Sequence, residues 1–374
     1  VILHTNLGRA PLSKAARKAI QNVSRGYSDV ELDLESGKRG SRQARITHLI
    51  SKVTGAQSAL AVSNNAAALL LGLSTLAFGK EVIISRAESI EIGGGFRIPD
   101  ILRQSGATLV EIGTTNRTYI EDYSSAITDN TGVLLAVHPS NFRITGFTHT
   151  PDIAELAQLG KRSRIPVLHD VGSGCLLETS EFGLSHEPTP QESIRAGVSA
   201  VFFSGDKLFG GPQSGIIAGR KAVVDQMTHH PLSRAIRIDK LSLAALDATL
   251  RHYLEDEAAI QIPVWNMIAK SKQVLASKAN KWAKLLGPGT DVTEGISTIG
   301  GGSLPGETLP TSLIRLTNPP HIGAATLARR LRDSTPSIIC RIENNHVLID
   351  PRTVLAEQEK DLISAVSAGI TGKY

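Results

Sequence analysis

The sequence predicts an α/β fold: a large domain built on a mostly parallel, helix-covered sheet, followed by a smaller C-terminal α+β domain. Three observations predict it. Short apolar runs rich in Val, Ile and Leu alternate with turn clusters and helical patterns, the order that strand–helix–strand units impose. Several of these runs are apolar nearly throughout, as strands covered on both faces require. Beyond residue 262 the alternation gives way to long helical patterns and then to paired strands.

In chain order, "SGKRGSRQAR" (36–45) is a basic run leading into a helix that begins near Gln43, and "AVSNNAAALLLGL" (61–73) is a Ser-Asn-Asn turn opening an Ala/Leu-rich helix. "EVIIS" (81–85), "TLVEIG" (108–113), "GVLLAVHP" (132–139), "IPVLHDVG" (165–172), "AVFFSG" (200–205) and "SGIIAG" (214–219) read as strands. "TPDIAELAQLGKRS" (150–163) reads as a helix with Thr150 as N-cap and Pro151 at its first position. "LSLAALDATLRHYLEDEAAI" (241–260) and "AKSKQVLASKANKWAKLL" (269–286) read as helices, and "EGISTIGGGSLPGETLP" (294–310) as a Gly-rich passage. The remainder reads as strand (311–318), helix (323–333), a strand pair with "ENNH" as hairpin turn (337–350), and helix (357–368). The expected domains are an N-terminal arm, 1–45, a large domain, 46–262, and a small domain, 263–374.

Composition narrows the classes. Apolar residues make up 41% of the 374 and charged residues 20%, and no apolar run approaches the roughly 20 residues that span a bilayer. The chain opens "VILHTNLGRA", with no initiator Met and no signal-peptide pattern, so an N-terminal portion is expected to precede Val1. Cys175 and Cys340 are too few for a disulfide framework or a metal knuckle, which points to a reducing cytoplasm and no metal. The net charge of +5 suits a phosphorylated or nucleic-acid partner without singling one out.

Open parallel sheets bind ligands beyond the carboxyl ends of their strands. Three strand ends carry chemistry. The turn Ser63, Asn64, Asn65, Ala66 opens a helix whose free N–H groups suit a phosphate. Asp170 ends "VLHD", and Lys207 follows "VFFSGD", with Gly210 and Gly211 allowing a tight turn after it. Each has an ordinary reading as an N-cap, a turn residue or a loop charge. Their conjunction, in this order, matches a pyridoxal 5'-phosphate (PLP) site: phosphate on the helix N-terminus, Asp170 on the pyridine nitrogen, and Lys207 in a Schiff base and then as general base. PLP enzymes of the aspartate-aminotransferase fold type (fold type I) share this order, so a seven-stranded sheet is expected.

Flanking blocks carry a narrower resemblance. "VILHTNLGRAPLS" (1–13), "YSDVELDLESGKRGSR" (27–42), "AVSNNAAALLL" (61–71), "SRAESIEIGGGFRIPDI" (85–101), "EIGTTNRT" (111–118), "VHPSNFRITGFT" (137–148) and "SGDKLFGGPQSGIIAGRK" (204–221) resemble, in order, the bacterial selenocysteine synthase (L-seryl-tRNA(Sec) selenium transferase) family. The resemblance implies a PLP enzyme that converts seryl-tRNA(Sec) with selenophosphate and assembles from dimers into rings, with the arm 1–45 contributing to the dimer and its active site. It also implies site residues: Lys207 as Schiff-base lysine with Ser204 and Asp206 in the same motif, Asp170 on the ring nitrogen, and Thr114, Thr115 and Asn141 lining the site. Arg9, Arg234 and Arg237 would hold the anionic selenium donor, a role suited to guanidinium groups.

The implied reaction is β-elimination of water from the serine followed by addition of selenium. Lys38, Arg39, Arg42 and Arg45 have three open readings: tRNA phosphates, an active site across a dimer interface, or a solvated stretch. The family's tRNA-binding portion lies N-terminal to "HTNLGR". Two rivals remain, a PLP lyase or transferase of the same fold acting on a small amino acid or phosphorylated amino sugar, and a non-catalytic tRNA-binding scaffold. Arg86, Glu88 and His138 are candidate neighbours of the ring.

Overall fold

The structure, a computed structural model, describes residues 1–92, 95–320 and 322–371. Gly93 and Gly94 of the block 85–101 lie outside the described residues. The chain divides into two compact units: Leu3–Trp265 with Gly300–Gly306, and Val1–Ile2 with Asn266–Ile299 and the chain from Glu307 onward. The division therefore lies between Trp265 and Asn266 rather than at 262/263, and it is not linear, because a Gly-rich loop from the second half joins the first unit.

The large unit is organised by β1 (Ser58–Val62), β2 (Glu81–Ser85), β3 (Glu91–Ile92), β4 (Phe96–Arg97), β5 (Thr108–Ile112), β6 (Thr131–Val137), β7 (Val167–Gly172), β8 (Ala200–Ser204) and β9 (Gly215–Gly219). β3 and β4 form a separate antiparallel pair, and the other strands make a seven-stranded sheet in the order β1-β9-β8-β7-β6-β2-β5. β5, β2, β6, β7 and β8 run parallel, whereas β9 is antiparallel to both of its neighbours. Parallel neighbours need a long crossover, but antiparallel neighbours can be joined directly. The short loop between β8 and β9 is such a join, and it carries Lys207.

The two edges of the sheet differ in burial, β1 being as buried as the central strands and β5 not. Every residue of β1, β6, β8 and β9 is buried, while the edge strand β5 leaves Thr108 and Glu111 exposed. The helix Asn65–Leu76 packs Leu69 and Leu73 into the same core as Phe202 and Ile217. Burying side chains of this size contributes about 1.5–3 kcal/mol each.

The helix expected over 150–163 begins at Ile153, not next to Thr150. Asp152 is its N-cap, accepting from the Ala154 N–H at 2.7 Å, and the Glu155 carboxylate accepts from the Asp152 N–H at 3.1 Å. This reciprocal capping box satisfies two free donors, which a Thr150 cap leaves unmet. The pattern 241–260 divides into Lys240–Leu254 and Ala258–Gln261, and the pattern 269–286 begins at Lys272, capped by Ser271.

The second unit holds a four-stranded antiparallel sheet of β10 (Thr290–Thr298), β11 (Thr308–Leu316), β12 (Arg341–Glu343) and β13 (His346–Ile349), in the order β10-β11-β13-β12. β10 went unread in the sequence because its residues, "TDVTEGIST", are mostly polar and mostly half-exposed. The expected hairpin turn is present, with Asn344 and Asn345 at φ 49° and 59°, as a two-residue turn with both central residues left-handed requires. Arg352 is fully buried beneath this sheet, donating to the carbonyls of Met267, Lys270 and Pro310 and to the Ser297 hydroxyl. Those acceptors replace the water its charge has lost.

Candidate active site

Lys207 lies in the β8–β9 loop, which is closed by backbone bonds from Gly205 to Ser214 (2.9 Å) and from Gly211 to Gly205 (2.8 Å). Leu208 and Phe209 are fully buried, and the Leu208 N–H donates to the Ser173 carbonyl at 3.0 Å. The chain can then reverse because Gly210 takes φ 73°, a conformation other residues rarely adopt. Pinned on both sides, Lys207 is only 6% exposed. Its Nζ donates to the Gly302 carbonyl at 3.5 Å.

Asp170 lies near the C-terminal end of β7, two residues before Gly172, two strands from β9, and is 3% exposed. Asn65 Nδ2 donates to its Oδ1 at 2.9 Å and the Gly172 N–H donates to the same oxygen at 3.0 Å. Burial raises the Asp170 carboxyl above its ordinary range, opposed by the Asn65 hydrogen bond and the charge of Lys207. Burial likewise lowers the Lys207 ammonium, opposed chiefly by Asp170. The result is a lysine that gives up its proton more readily than a solvated one. His169, beside Asp170, donates to or accepts from Ser193 Oγ at 2.9 Å, and burial pushes it down to about 3, so it is a neutral part of the scaffold.

The remaining candidates fall into groups. Asn64 caps the helix Asn65–Leu76 by accepting from the Ala67 N–H at 2.9 Å, leaving the N–H groups of Asn65 and Ala66 at its positive end. The Ser63 N–H donates to the Ile236 carbonyl, and Val62 bridges Arg237, so the 236–237 backbone borders this turn. Arg9, at φ 64°, pairs with Asp206 at 2.6 Å, next in sequence to Lys207. Ser204 is the buried last residue of β8.

Asn141 donates to the Glu91 carbonyl at 2.9 Å. Thr115 lines a cavity of about 220 Å³, with Glu88, His138, Glu187 and Leu304 among its walls. Thr114 is bonded within its own turn, to the Arg117 carbonyl at 3.0 Å. Arg237 pairs with Glu31 at 3.1 Å, and Arg234 is exposed on the short helix Leu232–Ala235. Neither guanidinium has an ion pair or hydrogen bond to Lys207, Asp170 or Asp206 among the described residues. The basic run is largely self-paired: Arg39 and Arg42 hold Glu31, and Arg45 holds Asp247. Lys38 is exposed.

PLP suits these residues. Among the described residues both hydrogen bonds to the Asp170 carboxylate fall on Oδ1, leaving Oδ2 for the N–H of a protonated ring. Gly302, whose carbonyl accepts from Lys207 Nζ, takes φ 73°, a conformation that favours glycine. A helix N-terminus, a buried carboxylate and a desolvated amine are the donor set that a phosphate, a pyridine nitrogen and an aldehyde need.

Glu88 and Glu187 escaped the sequence reading as buried acids. Glu88 accepts from the Val137 N–H at 3.0 Å, and burial raises its carboxyl from 4.5 to about 8. A raised carboxyl contributes stability that is fully present below the unfolded value and lost as pH rises to the folded one. The wild type should therefore lose stability relative to Glu88→Gln between pH 4.5 and about 8, by on the order of 4 kcal/mol. Parallel denaturant titrations across that window test this; equal pH slopes would refute it.

Comparison with solved structures supports the fold. D-Glucosaminate-6-phosphate ammonia-lyase is similar with a TM-score of 0.66 at 18% identity, covering 100% of this chain and 94% of that one. A Thermus thermophilus aspartate aminotransferase mutant aligns with a TM-score of 0.50 at 15% identity, covering 96% and 93%. Fold and site together define a PLP-dependent enzyme of fold type I. The family model for SelA, L-seryl-tRNA selenium transferase, matches residues 1–355. The L-seryl-tRNA(Sec) selenium transferase of Carboxydothermus hydrogenoformans is 50% identical over 363 residues, 96% of this chain and 78% of that protein. That of Geobacter sulfurreducens is 47% identical over 373 residues, 98% and 80%. The chain belongs to the L-seryl-tRNA selenium transferase family. No helix among the described residues is long and apolar enough to cross a membrane.

Proposed function

We propose that this protein converts L-seryl-tRNA(Sec) to L-selenocysteinyl-tRNA(Sec), with selenophosphate as the selenium donor. The observation that carries the reading is the buried Lys207 amine, electrostatically coupled to Asp170, in a chain 50% identical over 96% of its length to an L-seryl-tRNA(Sec) selenium transferase. Bound PLP supplies the electron sink that lets the serine Cα–H bond break. Lys207 holds the cofactor, takes the α-proton and later returns it, and its lowered pKa suits it to both transfers.

Asp170 faces the pyridine nitrogen and Asn65 fixes the carboxylate, while the turn Ser63–Ala66 receives the cofactor's phosphate. Ser204, Thr114, Thr115 and Asn141 line the pocket. Arg9, Arg234 and Arg237 receive the dense anion of the donor, with Asp206 orienting Arg9. The Arg237–Glu31 pair, at 35% and 28% side-chain exposure, is the weakly held, screened kind that an anion can displace.

The enzyme works in the cytoplasm as a homo-oligomer, with a dimer as the minimum unit and a ring of dimers as the assembly. The apolar side chains of Tyr27, Leu32 and Leu34, exposed in the N-terminal arm, support an interface there. The rival lyase reading rests on fold alone, since the ammonia-lyase is only 18% identical. The test is incubation of the PLP-loaded protein with seryl-tRNA(Sec) and radioactive selenophosphate. Selenium esterified to tRNA as selenocysteine supports the reading; label-free tRNA, with free serine or an amino sugar phosphate consumed instead, refutes it.

A further inference from the structure

Removing the serine hydroxyl requires an acid as well as the base Lys207, and no role assigned so far supplies one. Glu187 and His138 face the same 220 Å³ cavity. The Glu187 side chain is 3% exposed and the His138 side chain 20%. His138 Nε2 lies 3.5 Å from Glu187 Oε2. Both Nε2 and Glu187 Oε1 are buried without a hydrogen-bond partner among the described residues, a costly state in a finished core but a usual one where a ligand completes the bonding.

The backbone of both residues is tied by hydrogen bonds, that of His138 directly to Asp170. The His138 N–H donates to the Asp170 carbonyl at 2.8 Å. The Glu187 N–H donates to Thr179 Oγ1 at 3.0 Å, and Thr179 is fully buried. His186, next in the chain, is anchored to Glu178 and Glu192 at 3.2 and 3.3 Å. Leu304, two residues beyond the Gly302 that meets Lys207, walls the same cavity. The charge of Glu187 also reaches Lys207, where it favours the ammonium.

We propose that His138, positioned by Glu187, is the acid that protonates the departing serine hydroxyl. The inference rests on the β-elimination reading above. In the step, the Cα–H proton passes to Lys207 Nζ and its electron pair forms the Cα–Cβ double bond. The Cβ–O bond breaks, and the oxygen takes the proton from His138 Nε2 and leaves as water. In the addition, the donor's selenium forms a bond to Cβ, the double-bond pair takes the proton back from Lys207 Nζ at Cα, the Se–H proton passes to His138 Nε2, and water cleaves the Se–P bond to release phosphate. Glu187 Oε2, 3.5 Å from the same Nε2, sets a carboxyl group beside the proton to be transferred.

The test uses Glu187→Gln and His138→Asn in the PLP-loaded protein. Turnover of seryl-tRNA(Sec) should fall by about 10²-fold or more, whereas visible cofactor absorbance and Lys207-dependent exchange of the serine Cα–H with solvent persist. With β-chloroalanyl-tRNA, whose chloride leaves without a proton, both variants should recover to within about threefold of wild type. The ring-nitrogen NMR signals of His138 should shift in Glu187→Gln, with or without substrate. Loss of PLP binding, an equal loss on the chloride substrate, or unchanged turnover would overturn the assignment. If the wild type neither exchanges Cα–H nor turns over, it is the β-elimination reading that has failed.

Discussion

Replacing Lys207 by alanine should abolish both the visible cofactor absorbance and turnover. Lys207 is 6% exposed and its ammonium is destabilised by burial, which suits the cofactor-bonding and base roles proposed for it. General-base catalysis alone is worth about 10²–10⁴-fold, and losing the covalent tether adds to it. Folding should survive, because among the described residues Lys207 makes one weak hydrogen bond, to Gly302 at 3.5 Å, and the flanking loop is held by backbone bonds and by buried Leu208 and Phe209. Absorbance spectra, single-turnover assays and circular dichroism check the three parts. A Lys207→Ala protein that kept its visible band would contradict the site.

Asp170→Asn should retain bound cofactor but lose about 10²–10³-fold in turnover, the scale seen when one preorganised charge-stabilising group is removed. The amide keeps an acceptor for Asn65 and Gly172, which bond the carboxylate at 2.9 and 3.0 Å, so geometry is largely conserved while the negative charge is lost. There is a second consequence, with a definite sign. Asp170 raises the Lys207 pKa, so removing its charge lowers that pKa further and shifts the acidic limb of the rate profile to lower pH. More of the lysine is then neutral at a given pH, and yet turnover falls. A pH-rate profile of the variant that kept wild-type rates, or moved to higher pH, would count against the assignment.

Much of this site was legible because strand ends are legible. Apolar runs terminating in Asp170 and Lys207, and the Asn-Asn turn before an Ala/Leu helix, mark positions where a parallel sheet presents ligands. The fold class followed from the same alternation. What the sequence hid were properties set by distant partners. "LSHEPTP" reads as a polar loop, and only its packing makes Glu187 a buried acid with an unmet oxygen. "GGGSLPG" was legible only as part of a Gly-rich passage, although it brings Gly302 to the lysine. The basic run 36–45 left three readings open in the sequence, and only the structure shows that Glu31 and Asp247 hold three of its charges. β10 was missed for another reason: its polar residues carry no period-2 signal.

The central claim is that Lys207 is the residue bonded to PLP. Borohydride reduction of the cofactor-loaded protein, followed by digestion and mass mapping, tests it without a substrate. The account predicts a pyridoxyl group on the peptide containing "SGDKLFGG" and on Lys207 within it. A pyridoxyl group on any other lysine, or a loaded protein with none, would contradict it.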